Sequence, residues 1–400
     1  MGLSSKLSLH RFGSPKERLS ALAEEGWLDL EAWSGVSDLS ESAWSGILDG
    51  TVENVVETFR MPLSVATGFV VNGNDRLVPI VTEERTVVAA ASKAAKLCRP
   101  NGFTVKVRPA IAIAQLLYPR PTDPDAAERV NGLAGRLVRT LHRDDRMSAR
   151  GGGPLSVGAR LAESERGELL IVEARIDVRD AMGANAATET GHRLGALLRE
   201  EMGELPLAVI CGNDVPERHA VVRAVWRAAE LGADLAKRSK HAVSDSARAE
   251  LGREGIRRLL DLQGWAEADP ARAVTHMKGV MNGVTAVGLA TGQDTRALEA
   301  AVWAESCRGG ACRPLTSYKL TSTGDLYGVL RIPIVAGTVG GATGHPSARV
   351  GRMFAGVADA KSLVETMAAA GLAQNFAALW SLAHEGIIAS QDKLGRTKAR

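Results

Sequence analysis

The stretch Thr275-His276-Met277-Lys278-Gly279-Val280-Met281-Asn282-Gly283 is followed shortly by Ala290-Thr291-Gly292-Gln293-Asp294. Together they put a lysine and an aspartate on segments with little other charge. A lysine set among glycines and apolar residues is poorly placed for ordinary surface solvation. It is well placed to meet an oxygen that becomes negative during a reaction. The Asp294 carboxylate can hold that ammonium in position and keep it charged. A buried ion pair tying two segments together fits the same residues, because structural ion-pair networks share this pattern.

The elements that must position these groups show in the spacing. Ser14-Pro15-Lys16-Glu17 reads as a helix start with proline at the first helical position, and 15–60 reads as helical. Residues 69–81 read as strand with an Asn72-Gly73 turn inside. Glu83 and Glu84 follow, and small apolar residues at helical spacing over 86–98 place Glu84 just before a helix. Strand-like runs at 110–117, 155–161, 168–178 and 205–211 alternate with amphipathic helices over 126–142 and 188–202. From 220 to Asp294 the chain reads as mostly helical. Residues 326–333 return to strand, and 358–390 read as a helix interrupted at Gly371. The predicted class is α+β, with a large, mostly helical domain (1–108 and 221–390) interrupted by a small α+β domain (109–220). Residues 391–400 form a short tail.

Composition excludes several function classes. The net charge of +3 is too small to argue for nucleic acid, and no RNA-binding or finger motif appears. Cys98, Cys211, Cys307 and Cys312 make neither a disulfide framework nor a paired zinc motif, so reduced thiols and no metal are expected. Residues 1–18 are polar and lack the apolar core of a signal peptide, and no apolar run is long enough for a bilayer. The expectation is a cytoplasmic protein with no membrane partner.

Further motifs fall in a recognisable order. They are Glu53-Asn54-Val55-Val56, Val78-Pro79-Ile80-Val81-Thr82-Glu83-Glu84 and Asp177-Val178-Arg179-Asp180-Ala181-Met182-Gly183-Ala184-Asn185. Asp269-Pro270, Arg272, the Lys278 and Asp294 segments, Val339-Gly340-Gly341-Ala342-Thr343, His345-Pro346 and Gly371-Leu372-Ala373-Gln374-Asn375 continue the series. From about residue 10 to about 388 the chain resembles the class II (bacterial, degradative-type) 3-hydroxy-3-methylglutaryl-coenzyme A reductases. The resemblance implies that the large domain binds the coenzyme A substrate. It implies that the small, ferredoxin-like domain binds NAD(P) without a Rossmann fingerprint. A thioester would be reduced by two hydrides from the nicotinamide cofactor. Lys278 would stabilise the oxyanion, Glu84 would supply a proton from a carboxyl of raised pKa, and Asp294 would link the two.

The other implied roles follow the same motifs. Asp180, Met182, Gly183, Ala184 and Asn185 would form the cofactor loop, with a helix N-terminus facing the phosphates. Asp144 would sit near the adenine ribose and favour NAD over NADP, against His142, Arg143 and Arg146 beside it. Arg272 and Asn282 would hold the acyl carboxylate and the reacting centre, and Thr86 keeps a hydroxyl where serine is usual. Glu53 and Asn54 would line the pantetheine channel, Gln374 belongs to a substrate motif, and Arg11 would meet a coenzyme A phosphate. The family also implies a homodimer with the active site at the subunit interface.

The chain departs from the family pattern at several positions. Gln391 falls where the mobile C-terminal flap carries a histidine that protonates the leaving thiolate, and the chain ends at Arg400. Glutamine cannot donate that proton near neutral pH. His384, about two turns earlier, reads as an exposed helix residue rather than a substitute. Glu57, Arg85 and Met277 replace the usual glycine, proline and asparagine and suggest a reshaped acyl pocket. Three readings therefore stand: an NAD(P)H-dependent oxidoreductase with altered substrate or a single hydride step, a catalytically impaired coenzyme A- or dinucleotide-binding relative with a regulatory or partner role, and an enzyme whose flap comes from another chain.

Overall fold

Ser14 starts the first helix, α1 (Pro15–Glu24), because its Oγ accepts the Glu17 N–H at 3.2 Å and Pro15 fills the first helical position. The computed structural model describes residues 4–37, 46–47, 50, 52–56, 59–143, 145–239 and 244–384. Within these the chain forms two units. One contains Met1–Val107, Ala220–Ile334 and Gly341–Arg400; the other contains Arg108–His219 and Val335–Gly340. The last of these segments is one that sequence reading leaves with the large domain.

In the first unit, α1 is followed by α2 (Leu30–Ser37), and then by the antiparallel hairpin of β1 (Leu63–Val71) and β2 (Asn74–Val81). Its turn is Asn72-Gly73, both with positive φ, as a tight hairpin requires. Helix α3 (Val87–Leu97) packs on β1 through Val87, Ala91, Ala94 and Ala95, and β3 (Phe103–Val107) completes this stretch.

The second unit runs β4 (Ile111–Pro119), α4 (Ala126–His142), β5 (Gly153–Ala162), β6 (Leu169–Asp177), α5 (Ala184–Met202) and β7 (Ala208–Gly212). Its sheet order is β5-β6-β4-β7, with every neighbouring pair antiparallel. That is the ferredoxin-like β-α-β-β-α-β arrangement. Alternate residues Ala112, Ala114, Leu116 and Tyr118 of β4, and Leu170, Val172, Ala174 and Ile176 of β6, are buried in one core. Val130, Leu137 and Leu141 of α4 and Leu194 and Leu198 of α5 complete it.

The chain returns to the first unit with β8 (His219–Trp226), α6 (Ala228–Ser239), α7 (Asp245–Ala268), α8 (Pro270–Ala290) and α9 (Thr295–Ser306). It ends with β9 (Thr316–Leu320), β10 (Leu326–Pro333), α10 (Pro346–Phe354) and α11 (Ala360–His384). This unit is less helical than its sequence suggests, because it holds a six-stranded sheet of order β2-β1-β3-β8-β10-β9. Strand β8 was read as helix, since its Ala-Val-Val-Arg-Ala-Val run leads directly into alanine-rich α6. Gly371 does not interrupt α11; it lies mid-helix, where any side chain would press on Val284 and Val280. Several of the few aromatic residues gather in one stack. Trp226 and Phe376 lie 4.1 Å apart and nearly parallel, with Phe103 and Trp380 continuing the line at 6.4 and 5.9 Å. Burying a ring of this size contributes about 2–3 kcal/mol. No helix among the described residues is long and apolar enough to cross a membrane.

Candidate active site

Lys278 lies in the middle of α8. The helix starts where Asp269 accepts the Ala271 N–H at 2.9 Å and Pro270 sets the first φ. The lysine is exposed, contrary to its reading as a poorly solvated group. The glycines around it serve helix packing. A Cβ at Gly283 would come within 2.5 Å of the Ala370 carbonyl oxygen, so α8 and α11 meet backbone to backbone there. Val274, Lys278, Asn282, Thr285 and Leu289 follow helical spacing along the outer side of α8, with Val274 and Leu289 47% and 46% exposed. Met277 points the other way. It is fully buried, and its Sδ accepts the Leu315 N–H at 3.2 Å.

Asp294 is half-buried and caps α9, accepting the N–H groups of Arg296 and Ala297 at 3.0 and 3.2 Å. Its ion-pair partner is the Arg296 guanidinium at 3.2 Å. The expected Lys278–Asp294 pair is therefore not formed within this chain. Glu84 is half-buried just before α3, and Thr86 Oγ1 donates to its Oε1 at 3.2 Å. Thr86 itself occupies the cap position of α3.

Arg272 is 9% exposed, and its guanidinium lies 5.5 Å over the Trp265 ring. Burial pulls its pKa below the ordinary arginine range. No carboxylate among the described residues pairs with it. Gln374 is buried on α11 beside Asn375, which accepts from Tyr318 Oη at 2.8 Å and donates to the His276 carbonyl at 3.2 Å. At the N-terminus, Arg11 is exposed, with its guanidinium 5.6 Å over the Phe12 ring. Glu53 and Asn54 are exposed, and Asn54 has positive φ. Arg85 is exposed. Glu57, Asp144 and Gln391 lie outside the described residues. His384 is half-buried rather than exposed. Its ring lies 4.2 Å from that of Trp380, and Nδ1 is 2.8 Å from the Trp380 carbonyl.

In the second unit, Val178-Arg179-Asp180-Ala181-Met182 leads from β6 into α5. Helix α5 begins at Ala184, earlier than sequence reading placed it, so Ala184 and Asn185 form its first turn. Gly183 turns the chain at φ +114°, where a Cβ would also strike Ala112. No side chain caps the α5 N-terminus. The Asp180 carbonyl accepts the Thr338 N–H at 2.7 Å.

The profile of the family described as Hydroxymethylglutaryl-coenzyme A reductase matches residues 14–396. The chain belongs to this reductase family. It is 36% identical over 378 residues to the 3-hydroxy-3-methylglutaryl-coenzyme A reductase of Archaeoglobus fulgidus, covering 94% of this chain and 82% of that one. A probable reductase of Borreliella burgdorferi is 30% identical over 350 residues, covering 84% of this chain and 74% of the relative. The class II reductase of Streptococcus pneumoniae, solved bound to NADPH in open conformations, superposes with a TM-score of 0.82 at 32% identity. That match covers 92% of this chain and 97% of that one.

Two groups in this reductase-family chain escaped sequence reading. Arg218 is 3% exposed and donates to the carbonyls of Met182, Ala181 and Ala336 at 2.6, 3.2 and 2.7 Å. It ties the 180–183 loop to the 335–340 segment, where Gly337 approaches so closely that a Cβ would lie 2.3 Å from Met182 N. Burial pulls the Arg218 pKa down to about 10, while Cys211 and Asp177 hold it up. A lone arginine in a charged stretch carries no sequence signal for such a task. The second group is His276, 2% exposed two residues before Lys278, with Nε2 2.5 Å from Thr316 Oγ1. Thr316 gives its hydroxyl proton to Gln263 Oε1 at 3.3 Å, so His276 donates through Nε2. Burial, and then the Arg272 charge, push its pKa down to about 3.

Proposed function

We propose that the chain is an NAD(P)H-dependent reductase of hydroxymethylglutaryl-coenzyme A. It would take the thioester through an aldehyde-level stage to the mevalonate-type alcohol, or run the reverse oxidation. The observation that carries this reading is the position of Lys278. Its ammonium stands exposed on one line of α8, while the opposite side of the helix is packed against α11. A cation held by a rigid helix can meet developing negative charge without reorganising.

Each residue has a task in this reading. Lys278 would donate to the carbonyl oxygen, and Glu84, hydrogen-bonded to Thr86, would give a proton to it. Asp294 would orient the lysine. Arg272 would bind the acyl carboxylate through two parallel hydrogen bonds, with Asn282 and Gln374 near the reacting centre. Glu53 and Asn54 would line the pantetheine path, and Arg11 would meet a phosphate.

In the second unit Asp180, Met182, Gly183, Ala184 and Asn185 would hold the dinucleotide, whose nicotinamide supplies the hydride. The fit rests on the glycine turn and the α5 N-terminus, which has no side-chain cap of its own. Asp144 would favour NADH, with NADPH second. We also propose a homodimer that completes the site. Exposed Val274 and Leu289 give the Lys278 side of α8 an apolar surface, and Asp294 is engaged with Arg296 in its own chain.

The test follows oxidation of NADH and of NADPH with hydroxymethylglutaryl-coenzyme A and with mevaldehyde. Turnover is expected with both substrates, and Lys278→Ala should lower kcat by about 10²–10³. Cofactor binding without turnover on either substrate would sink this reading.

A further inference from the structure

Cys307 and Cys312 lie between α9 and β9, and the reductase reading gives neither a task. The base of this loop is held by the two residues that bracket them. The Arg313 N–H donates to the Ser306 carbonyl at 2.9 Å, and Ser306 Oγ donates to the Arg313 carbonyl at 2.6 Å. With 306 and 313 paired, Cys307 and Cys312 stand next to that pair at the two ends of the loop, and Cys312 lies near enough to act on the Cys307 thiol. The hydroxyl proton of Ser306 is committed to Arg313. The Cys312 thiol therefore donates to Ser306 Oγ, 3.1 Å away, which fixes its direction.

The loop between the two thiols is exposed and adaptable. Arg308, Gly309, Gly310 and Ala311 are all exposed, and a side chain at either glycine would meet open space. Cys307 is exposed and Cys312 half-buried, so one sulfur meets solutes while the other waits beside it. The remaining cysteines differ in exposure. Cys98 is buried and its thiol is pushed up to about 12, and Cys211 is half-buried with burial holding its thiol up; the Cys307 thiol is also raised, by desolvation and then by Cys312 beside it, but it is the exposed one.

We propose that Cys307 and Cys312 form a vicinal dithiol that closes to an intramolecular disulfide on contact with hydroperoxides. The Cys307 thiolate attacks one peroxide oxygen and the O–O bond breaks. Cys307 becomes a sulfenic acid, and the other oxygen leaves as water or an alcohol. The Cys312 sulfur then attacks Cys307 sulfur, the S–O bond breaks, and a water leaves. Two thiols lose two electrons and two protons, and the peroxide gains both. The bridging geometry needs Cα atoms about 4.4–6.8 Å apart, and the Ser306–Arg313 contacts hold the two ends of the loop together. The site takes soft, two-thiol reagents by the same geometry.

Full-length reduced protein would be treated with hydrogen peroxide, alkylated and digested with trypsin. Trypsin cuts at Arg308, between the two cysteines. The disulfide should appear as peptide 297–308 joined to peptide 309–319, lighter by two hydrogens than the sum of its parts. Reduced protein should bind one phenylarsine oxide per chain, and Cys307→Ser should lose both properties. The proposal is overturned if both cysteines remain alkylatable after peroxide. Over-oxidation of Cys307 with Cys312 still free overturns it too, as does absence of arsenical binding to reduced protein.

Discussion

Replacing Arg218 by methionine should loosen the 180–183 loop and weaken cofactor binding. One buried guanidinium serves three carbonyls at 2.6, 2.7 and 3.2 Å. Hydrogen bonds from a charged donor contribute about 1.5–3 kcal/mol each, so the three supply about 4.5–9 kcal/mol. Against this stands the cost of burying the cation. The pull of its pKa from 12.5 to about 10 corresponds to about 3 kcal/mol. The hydrogen bonds win, and methionine, which fills similar volume without donors, should destabilise the loop by about 1.5–6 kcal/mol. All seven tryptophans lie outside Arg108–His219, so tryptophan fluorescence would miss the change. Hydrogen exchange read on peptides spanning 178–190 would see it, with exchange faster by about 10² or more. NADPH titration should show Kd raised by at least tenfold, with kcat at saturating cofactor changed much less. Unchanged exchange and unchanged Kd in a folded Arg218→Met protein would refute the reasoning.

Three further changes test the first unit. His276 is neutral in the fold with a pKa of about 3, while the unfolded chain takes up a proton below about 6.5. Stability is thus full above pH 6.5 and is lost as pH falls from there towards 3, at about 1.4 kcal/mol per unit. Urea midpoints of His276→Gln should show a flatter limb over that window; equal slopes would contradict the assignment. Gly283→Ala drives a methyl to 2.5 Å from the Ala370 oxygen and should cost about 3 kcal/mol. Gly264→Ala, exposed on α7 with open space around it, should instead gain about 0.5–1 kcal/mol by thermal unfolding.

How far the sequence spoke depended on the kind of signal. Val130, Leu137 and Leu141 recur at helical spacing, and helix α4 lies where that period placed it. The α+β class followed from such periods and from the family motifs. Strand β8 was missed because apolar Val221 and Val225 on its half-buried side hide the alternation that buried Ala220, Val222, Ala224 and Trp226 keep, and the run reads on into α6. Lys278 was read as poorly solvated because a count of neighbouring charges cannot say which side of a helix faces out. Asp294 looked like the lysine's partner. An aspartate before a helix has a stronger local use, and the structure gives it that one, together with Arg296. Contacts such as Gly283 with Ala370 depend on long-range packing and leave no local pattern.

The Arg218 side chain has a temporal consequence. Its carbonyl partner at Ala336 lies 118 residues further along the chain. During synthesis the ferredoxin-like sheet and both its helices are complete when His219 emerges, yet the guanidinium still lacks one acceptor and the 180–183 loop its neighbour. Only after the whole of Ala220–Ile334 has been made does the last short segment arrive. The proposed cofactor loop is therefore finished late, once the chain that makes α8 and its lysine already exists.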